Sequence, residues 1–168
     1  MGRTPAVEVR VLDERIRTWG LPQHHSAMAA GVDLFACLGG ELVLAPQAPA
    51  ELVPAGIAIH IGDPGIAAII VPRSGLGHRQ GLVMGNLVGV IDADYTGPVM
   101  ISVWNRSAHG STPIVIKPGD RIAQLIFVPI VRPLFEIVDA FSKESARGSG
   151  GFGSTGRTAS AREAQRDG

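Results

Sequence analysis

Glycine and proline interrupt this chain so often that no apolar run between them is long enough for a layer of packed helices. The breakers include Pro54-Ala55-Gly56, Gly62-Asp63-Pro64-Gly65, Gly97-Pro98 and Lys117-Pro118-Gly119-Asp120. Between them lie short runs of strand character. Val7, Val9 and Val11 alternate with Glu8 and Arg10, and Ile57, Ile59 and Ile61 alternate again. Leu42 to Leu44, Ile66 to Val71, Val99 to Val103, Ile114 to Ile116 and Ile122 to Val128 continue the series, with a last apolar patch at Leu134 to Val138. Parallel neighbours need a crossover of about a dozen residues or more. These links are too short, so the strands must pair antiparallel in an all-β sandwich, jelly roll or barrel. One short helix is expected, about two turns beginning at Ser74 as an N-cap, with a weaker helical stretch near Asp13 to Trp19.

The chain of 168 residues is long enough for one ordinary core and too short for two comfortable ones. Fifteen basic and fifteen acidic side chains cancel to a formal net charge of zero. No global field therefore gathers nucleic acid or an anionic membrane, and a polyanionic ligand must be held by local groups or a metal. The single cysteine, Cys37, excludes an internal disulfide and a cysteine zinc site, and reads as a small buried residue. No run reaches the length of a membrane span and no secretion signal is evident, so a cytoplasmic protein is expected. The glycosylation pattern Asn105-Arg106-Ser107 carries no weight in that setting. Residues 1–141 are expected to form the β domain. From Ser142 to Gly168 the chain is rich in Gly, Ser, Thr and Arg with Phe152 as its one aromatic, which predicts a flexible arm.

Residues 89–97, GVIDADYTG, set Asp92 and Asp94 beside the only tyrosine, Tyr95. Val88, Val90 and Ile91 lead in and Val99, Ile101 and Val103 lead out, which predicts a β-hairpin with acid and ring at its tip. Acids at such tips are commonly solvated turn formers. Pro72-Arg73-Ser74-Gly75-Leu76-Gly77 follows an apolar run and offers amides, a hydroxyl and a guanidinium to an anion, although similar sequences also make ordinary helix starts. Asp33, within AGVDLFA at 30–36, is a carboxylate among apolar neighbours and needs a partner or a metal. Gln124, in the run Ile122 to Val128, likewise needs polar company. The stretch GSGGFG at 148–153 matches a dinucleotide fingerprint but has no strand before it and no helix after it. No Walker lysine exists, since the two lysines are Lys117 and Lys143. That glycine-rich stretch fits either a linker or an arm that lies against a ligand, with Arg147 supplying charge and Phe152 a stacking face. His24 and His25 fall on opposite sides of an extended chain, a poor arrangement for joint metal chelation.

Five ordered segments, AGVDLFA, PRSGLG, GVIDADYTG, GDRIAQLIF (119–127) and RGSGGFGSTG (147–156), resemble the five motifs of the homotrimeric deoxyuridine triphosphate nucleotidohydrolases, the dUTPases, in their bacterial branch. The resemblance covers about residues 7–156. It implies a jelly-roll-like fold, three active sites at subunit interfaces, and hydrolysis of dUTP to dUMP and pyrophosphate with Mg²⁺. Carried over motif by motif, it makes Asp92 the carboxylate that orients and deprotonates the attacking water. Tyr95 becomes the platform under the sugar. Asn86, with the hairpin backbone from Leu87 to Met100, including Val90 and Ile91, reads the uracil edge. Arg73, Ser74, Gly75, Gln124 and Arg147 contact phosphates, Phe152 stacks on the base, and Asp33 anchors Mg²⁺ through water in its outer shell. Two departures stand out: Ala93 lies between the aspartates where serine is common, and Pro98 replaces a commonly polar residue. The rival readings are the related dCTP deaminases, which need an acid–base group aimed at cytosine, and a non-catalytic binding protein on the same scaffold.

Overall fold

A computed structural model describes residues 5–142. Of these, residues 5–132 belong to one compact unit and residues 133–142 to a second. In the first unit the runs become ten strands: β1 (Glu8–Val11), β2 (Gly31–Phe35), β3 (Leu42–Leu44), β4 (Glu51–His60), β5 (Ile66–Pro72), β6 (Leu82–Met84), β7 (Gly89–Ile91), β8 (Pro98–Asn105), β9 (Ile114–Ile116) and β10 (Arg121–Pro129). Two short helices join them, α1 (Arg15–Trp19) and α2 (Ser74–Arg79). The strands make two four-stranded sheets, ordered β1-β4-β8-β6 and β2-β10-β5-β7, and a small β3-β9 pair. Among the described residues these strands pair antiparallel throughout, as the short connections require.

Alternation sets the core. Val53, Ile57 and Ile59 of β4 and Val99, Ile101 and Val103 of β8 are buried in one cluster with Val32 and Leu34 of β2, Ile70 of β5 and Leu125 of β10. The two sheets thus close over a common apolar interior in a jelly-roll-like sandwich. Ile16 of α1, 2 % exposed, seals one side of that interior.

Three expectations change. The predicted hairpin does not form, because β7 pairs with β5 while β8 pairs with β4 and β6 in the other sheet. Residues 92–97 therefore turn a corner between layers. Pro54-Ala55-Gly56 does not end a strand either; it lies inside β4, where the register with β8 shifts between Pro54 and Ala58. Gly56 has φ 72° there, and its carbonyl accepts Leu12 N at 2.8 Å and Asp13 N at 3.1 Å. A side chain at Gly56 would collide with Cys37 Sγ, so the bulge requires glycine. Finally, Ser74 is the first residue of α2 rather than its cap; Arg73 holds that place, with no side-chain capping bond. The weaker helical stretch forms as α1, with Arg15 bidentate on Asp13 and its guanidinium 5.1 Å from the Trp19 ring centre.

In the second unit the described residues, 133–142, adopt no helix or strand, and Leu134, Phe135, Ile137 and Phe141 are almost fully exposed.

Candidate active site

The site residues expected from sequence fall into two separate concavities. The first, a cavity of about 750 Å³, gathers Asp33, Arg73, Ser74, Gly75 and Gln124. The second, about 210 Å³, gathers Asn86, Val90, Ile91, Asp92, Tyr95 and Met100. Arg147 and Phe152 lie outside the described residues.

In the first cavity the isolated carboxylate has found its partners. Asp33 Oδ1 lies 3.0 Å from Arg73 Nε, and Oδ2 lies 3.1 Å from Arg121 Nη1 and 3.0 Å from His25 Nε2. Strand β2 puts Asp33 on the outward face opposite Gln124 of β10, and β5 delivers Arg73 just past its end. Gln124 donates from Nε2 to the Pro72 carbonyl at 3.2 Å. A side chain at Gly31 would strike Gln124 Oε1, so the bare backbone of β2 lets the amide lie flat across the strand. The outcome is a basic cavity around one carboxylate, suited to a polyanion.

Sequence reasoning missed three members of this cavity: His25, Arg79 and Arg121. Arg121 is signalled in hindsight by its place three residues before Gln124, at the start of β10. The histidine pair separates as expected of an extended chain, His24 bridging to Val32 while His25 reaches Asp33.

The second cavity is built on the corner between β7 and β8. Tyr95 N donates to Asp92 O at 3.2 Å, closing a turn that leaves Asp92 exposed to water. The Tyr95 hydroxyl donates to the Pro98 carbonyl at 3.0 Å. Gly97 lies directly beneath the ring: a Cβ there would be 2.5 Å from Tyr95 Oη and 2.7 Å from Cζ. On the opposite wall, Val88 N donates to Asn86 O at 2.7 Å around Leu87, which has φ 65°. A leucine in that region is strained, and the strain borders the cavity. A slot with aliphatic walls, one ring, one amide, free backbone groups and one exposed carboxylate fits a nucleoside better than a polyanion.

Register measures the gap between the halves. Gln124 faces Val71 and Ala68 faces Ile91, so Asp92 is displaced from Gln124 by two strands and about four residues. With strands about 4.8 Å apart and a rise of about 3.3 Å per residue, Asp92 lies on the order of 16 Å from Gln124 and on the order of 20 Å from Asp33.

As for metals, no group of three or more His, Cys, Asp or Glu side chains among the described residues is arranged to hold an ion. Asp33 already receives two guanidinium donors and an imidazole, which leaves room for water-mediated contact and little for a direct metal bond.

The chain is similar to known proteins over most of its length. The dUTPase family model matches residues 17–156, a span that includes all five motifs. The deoxyuridine 5'-triphosphate nucleotidohydrolase of Tolumonas auensis is 55% identical over 152 residues, covering 90% of this chain and 97% of that protein. Its counterpart in Methylococcus capsulatus is 53% identical over 154 residues, covering 91% and 99%. Among solved structures, a Staphylococcus bacteriophage 80alpha dUTPase with dUpNHpp superposes with a TM-score of 0.78 at 27% identity, covering 91% of this chain and 99% of that one. The dUTPase from phage phi11 of S. aureus, described with a structural Mg(II) ion, has a TM-score of 0.70 at 26% identity and covers 82% and 99%. On motif order, fold and the extent of these matches, the chain belongs to the dUTPase family.

Proposed function

We propose that this protein hydrolyses dUTP to dUMP and pyrophosphate, at sites that each draw one half from a different copy of the chain. The observation that carries this reading is the division of chemistry between the cavities: nucleoside-type walls with Asp92 in one, clustered arginines in the other. A nucleotide is too short for its α-phosphorus to meet Asp92 while its phosphates reach Gln124 across about 16 Å of one sheet. A second copy removes that conflict, and a closed ring of three satisfies every half-site. The exposed Leu134, Phe135, Ile137 and Phe141 supply apolar surface for such an assembly.

In this reading Asp92 holds a water in line with the α-phosphorus and takes its proton as the oxygen attacks. The bond from that phosphorus to the bridging oxygen breaks, and pyrophosphate leaves. Tyr95, fixed by Gly97 and Pro98, packs where a ribose 2′-hydroxyl would project. Asn86 and the β7 backbone around Val90 and Ile91 pair with the uracil edge, while Met100 closes the floor. Cytosine would leave those groups unpaired, a mismatch worth up to about 10⁴-fold. Thymine differs by a single methyl, which a soft apolar pocket resolves by only about 1–3 kcal/mol, so the rigid corner must exclude it sterically. Arg73, Ser74, Gly75 and Gln124 hold phosphate oxygens. Arg147 and Phe152 of the fifth motif complete the clamp and the base stack. Asp33 would hold Mg²⁺ through water, and the ion would supply neutralisation of the triphosphate charge. A cytoplasmic location suits this nucleotide chemistry, and no helix among the described residues is long and apolar enough to cross a membrane.

The deciding experiment measures pyrophosphate release from dUTP, dTTP, dCTP and UTP, with and without Mg²⁺, for the wild type and Asp92→Asn. Activity on dUTP alone, largely lost in the variant with nucleotide binding retained, is the expected result. Ammonia release from dCTP, or binding of dUTP without turnover by the wild type, would replace this reading.

A further inference from the structure

We propose that Arg79 is a phosphate-binding residue for the departing pyrophosphate end of the nucleotide, the arginine of the basic cavity that no carboxylate among the described residues neutralises. The proposal rests on the functional reading above and adds a residue to it. Three arginines line the cavity, Arg73, Arg79 and Arg121. Two of them are committed to Asp33, at 3.0 and 3.1 Å. Arg79 has no carboxylate within ion-pair distance and no hydrogen-bond acceptor among the described residues.

Its placement follows from helix geometry. Arg79 is four residues after Gly75 on α2, and helical side chains lean back toward the N-terminus over the residue one turn earlier. At that earlier position there is no side chain. A Cβ on Gly75 would come within 2.9 Å of Arg79 Nη2, so the glycine leaves the space into which the guanidinium folds. A glycine inside a helix costs about 1 kcal/mol relative to alanine. Here the vacancy brings a planar, permanently charged donor set to the wall that also carries Ser74 and Gln124.

Charge arithmetic gives Arg79 its weight. Arg73 and Arg121 against Asp33 leave a surplus of one positive charge in the cavity, and Arg79 doubles it. A nucleoside monophosphate needs little more than the first charge. A triphosphate needs the second, and its terminal phosphates are the groups free to reach an exposed side chain beyond the Asp33 cluster.

The test uses the full-length protein and compares wild type, Arg79→Gln and Arg79→Lys. Titration with inorganic tripolyphosphate probes the cavity directly, without reference to any base. The glutamine variant is expected to bind tripolyphosphate and a non-hydrolysable dUTP analogue roughly 10- to 100-fold more weakly, the range of one lost charge-assisted hydrogen bond. Binding of dUMP should stay within about twofold, and the lysine variant should recover part of the loss. In turnover the defect should appear mainly in KM. Unchanged tripolyphosphate affinity in Arg79→Gln overturns the proposal, as does an equal loss for dUMP accompanied by a lower melting temperature, which marks a structural role. Failure of wild-type protein to hydrolyse dUTP would instead overturn the functional reading and leave the tripolyphosphate result to judge Arg79.

Discussion

Tyr95 and Pro98 are tied by a hydrogen bond of 3.0 Å from the phenol to the main-chain carbonyl, so the residue that departs from the family's polar pattern serves the turn through its backbone. As the first residue of β8, Pro98 sits where a strand tolerates a missing N–H. Removing the hydroxyl in Tyr95→Phe keeps the ring and loses one hydrogen bond of about 0.5–1.5 kcal/mol net. Steady-state kinetics should show kcat/KM for dUTP reduced by up to about tenfold, with UTP still rejected.

Gly97→Ala tests the same ring from below. The new methyl group would overlap Tyr95 Oη and Cζ, forcing the ring off its seat. A displacement near 1 Å costs up to about 100-fold in rate. Because the corner is exposed, the melting temperature should barely move, separating this variant from one that unfolds.

Leu87 pays for its φ of 65° with strain that glycine would relieve. In Leu87→Gly the thermal midpoint should hold or rise, while the freed backbone beside Asn86 loosens its grip on the base. A higher KM for dUTP and weaker discrimination against dCTP are the expected readouts. A lower midpoint with unchanged KM would show that Leu87 serves packing instead.

Asn105 is the one buried polar residue identified among the described residues, 1 % exposed, with Nδ2 donating to Leu44 O at 3.0 Å and Oδ1 accepting from Ser107 N at 3.1 Å. Truncation in Asn105→Ala leaves both backbone groups unpaired, which costs about 1–3 kcal/mol for each that water cannot reach. Chemical denaturation should register that loss without any change in substrate preference.

Burial, with help from the nearby Asp13 charge, pushes the Cys37 thiol from its ordinary 9.0 up to about 11. The native state therefore keeps its proton where the unfolded chain has released it. This contribution to stability is fully present below pH 9, and it falls as pH rises toward 11. Wild type should lose more stability than Cys37→Ala across that window, measured by urea midpoint. At pH 8, thiol reagents should label the native protein slowly.

The strands readable from sequence were those whose alternation was uninterrupted, such as Ile57, Ile59 and Ile61 of β4. Strand β2 was hidden because Asp33 breaks its apolar pattern, and the arginines that reconcile that charge come from β10 and the end of β5. Strand β6 is too short to show a period. The corner at 92–97 looked like a hairpin because two alternating runs around a turn are locally identical whether they pair with each other or with different sheets. The motif residues that line the two cavities could be picked out by their order. Arg79, Arg121 and His25 could not, since their places in the first cavity depend on which side chains three-dimensional packing brings around Asp33.

The separation of Asp92 from Gln124 along one sheet has a genetic corollary. In the shared-site assembly proposed above, two lesions expected to silence the enzyme, Asp92→Asn and Gln124→Ala, would damage opposite contributors to every catalytic unit. Co-refolded in equal amounts, the two dead proteins should rescue one another, recovering about a quarter of the wild-type rate by random mixing in a cyclic trimer. Intragenic complementation of this kind would be absent from any enzyme whose single polypeptide carried the entire reaction centre.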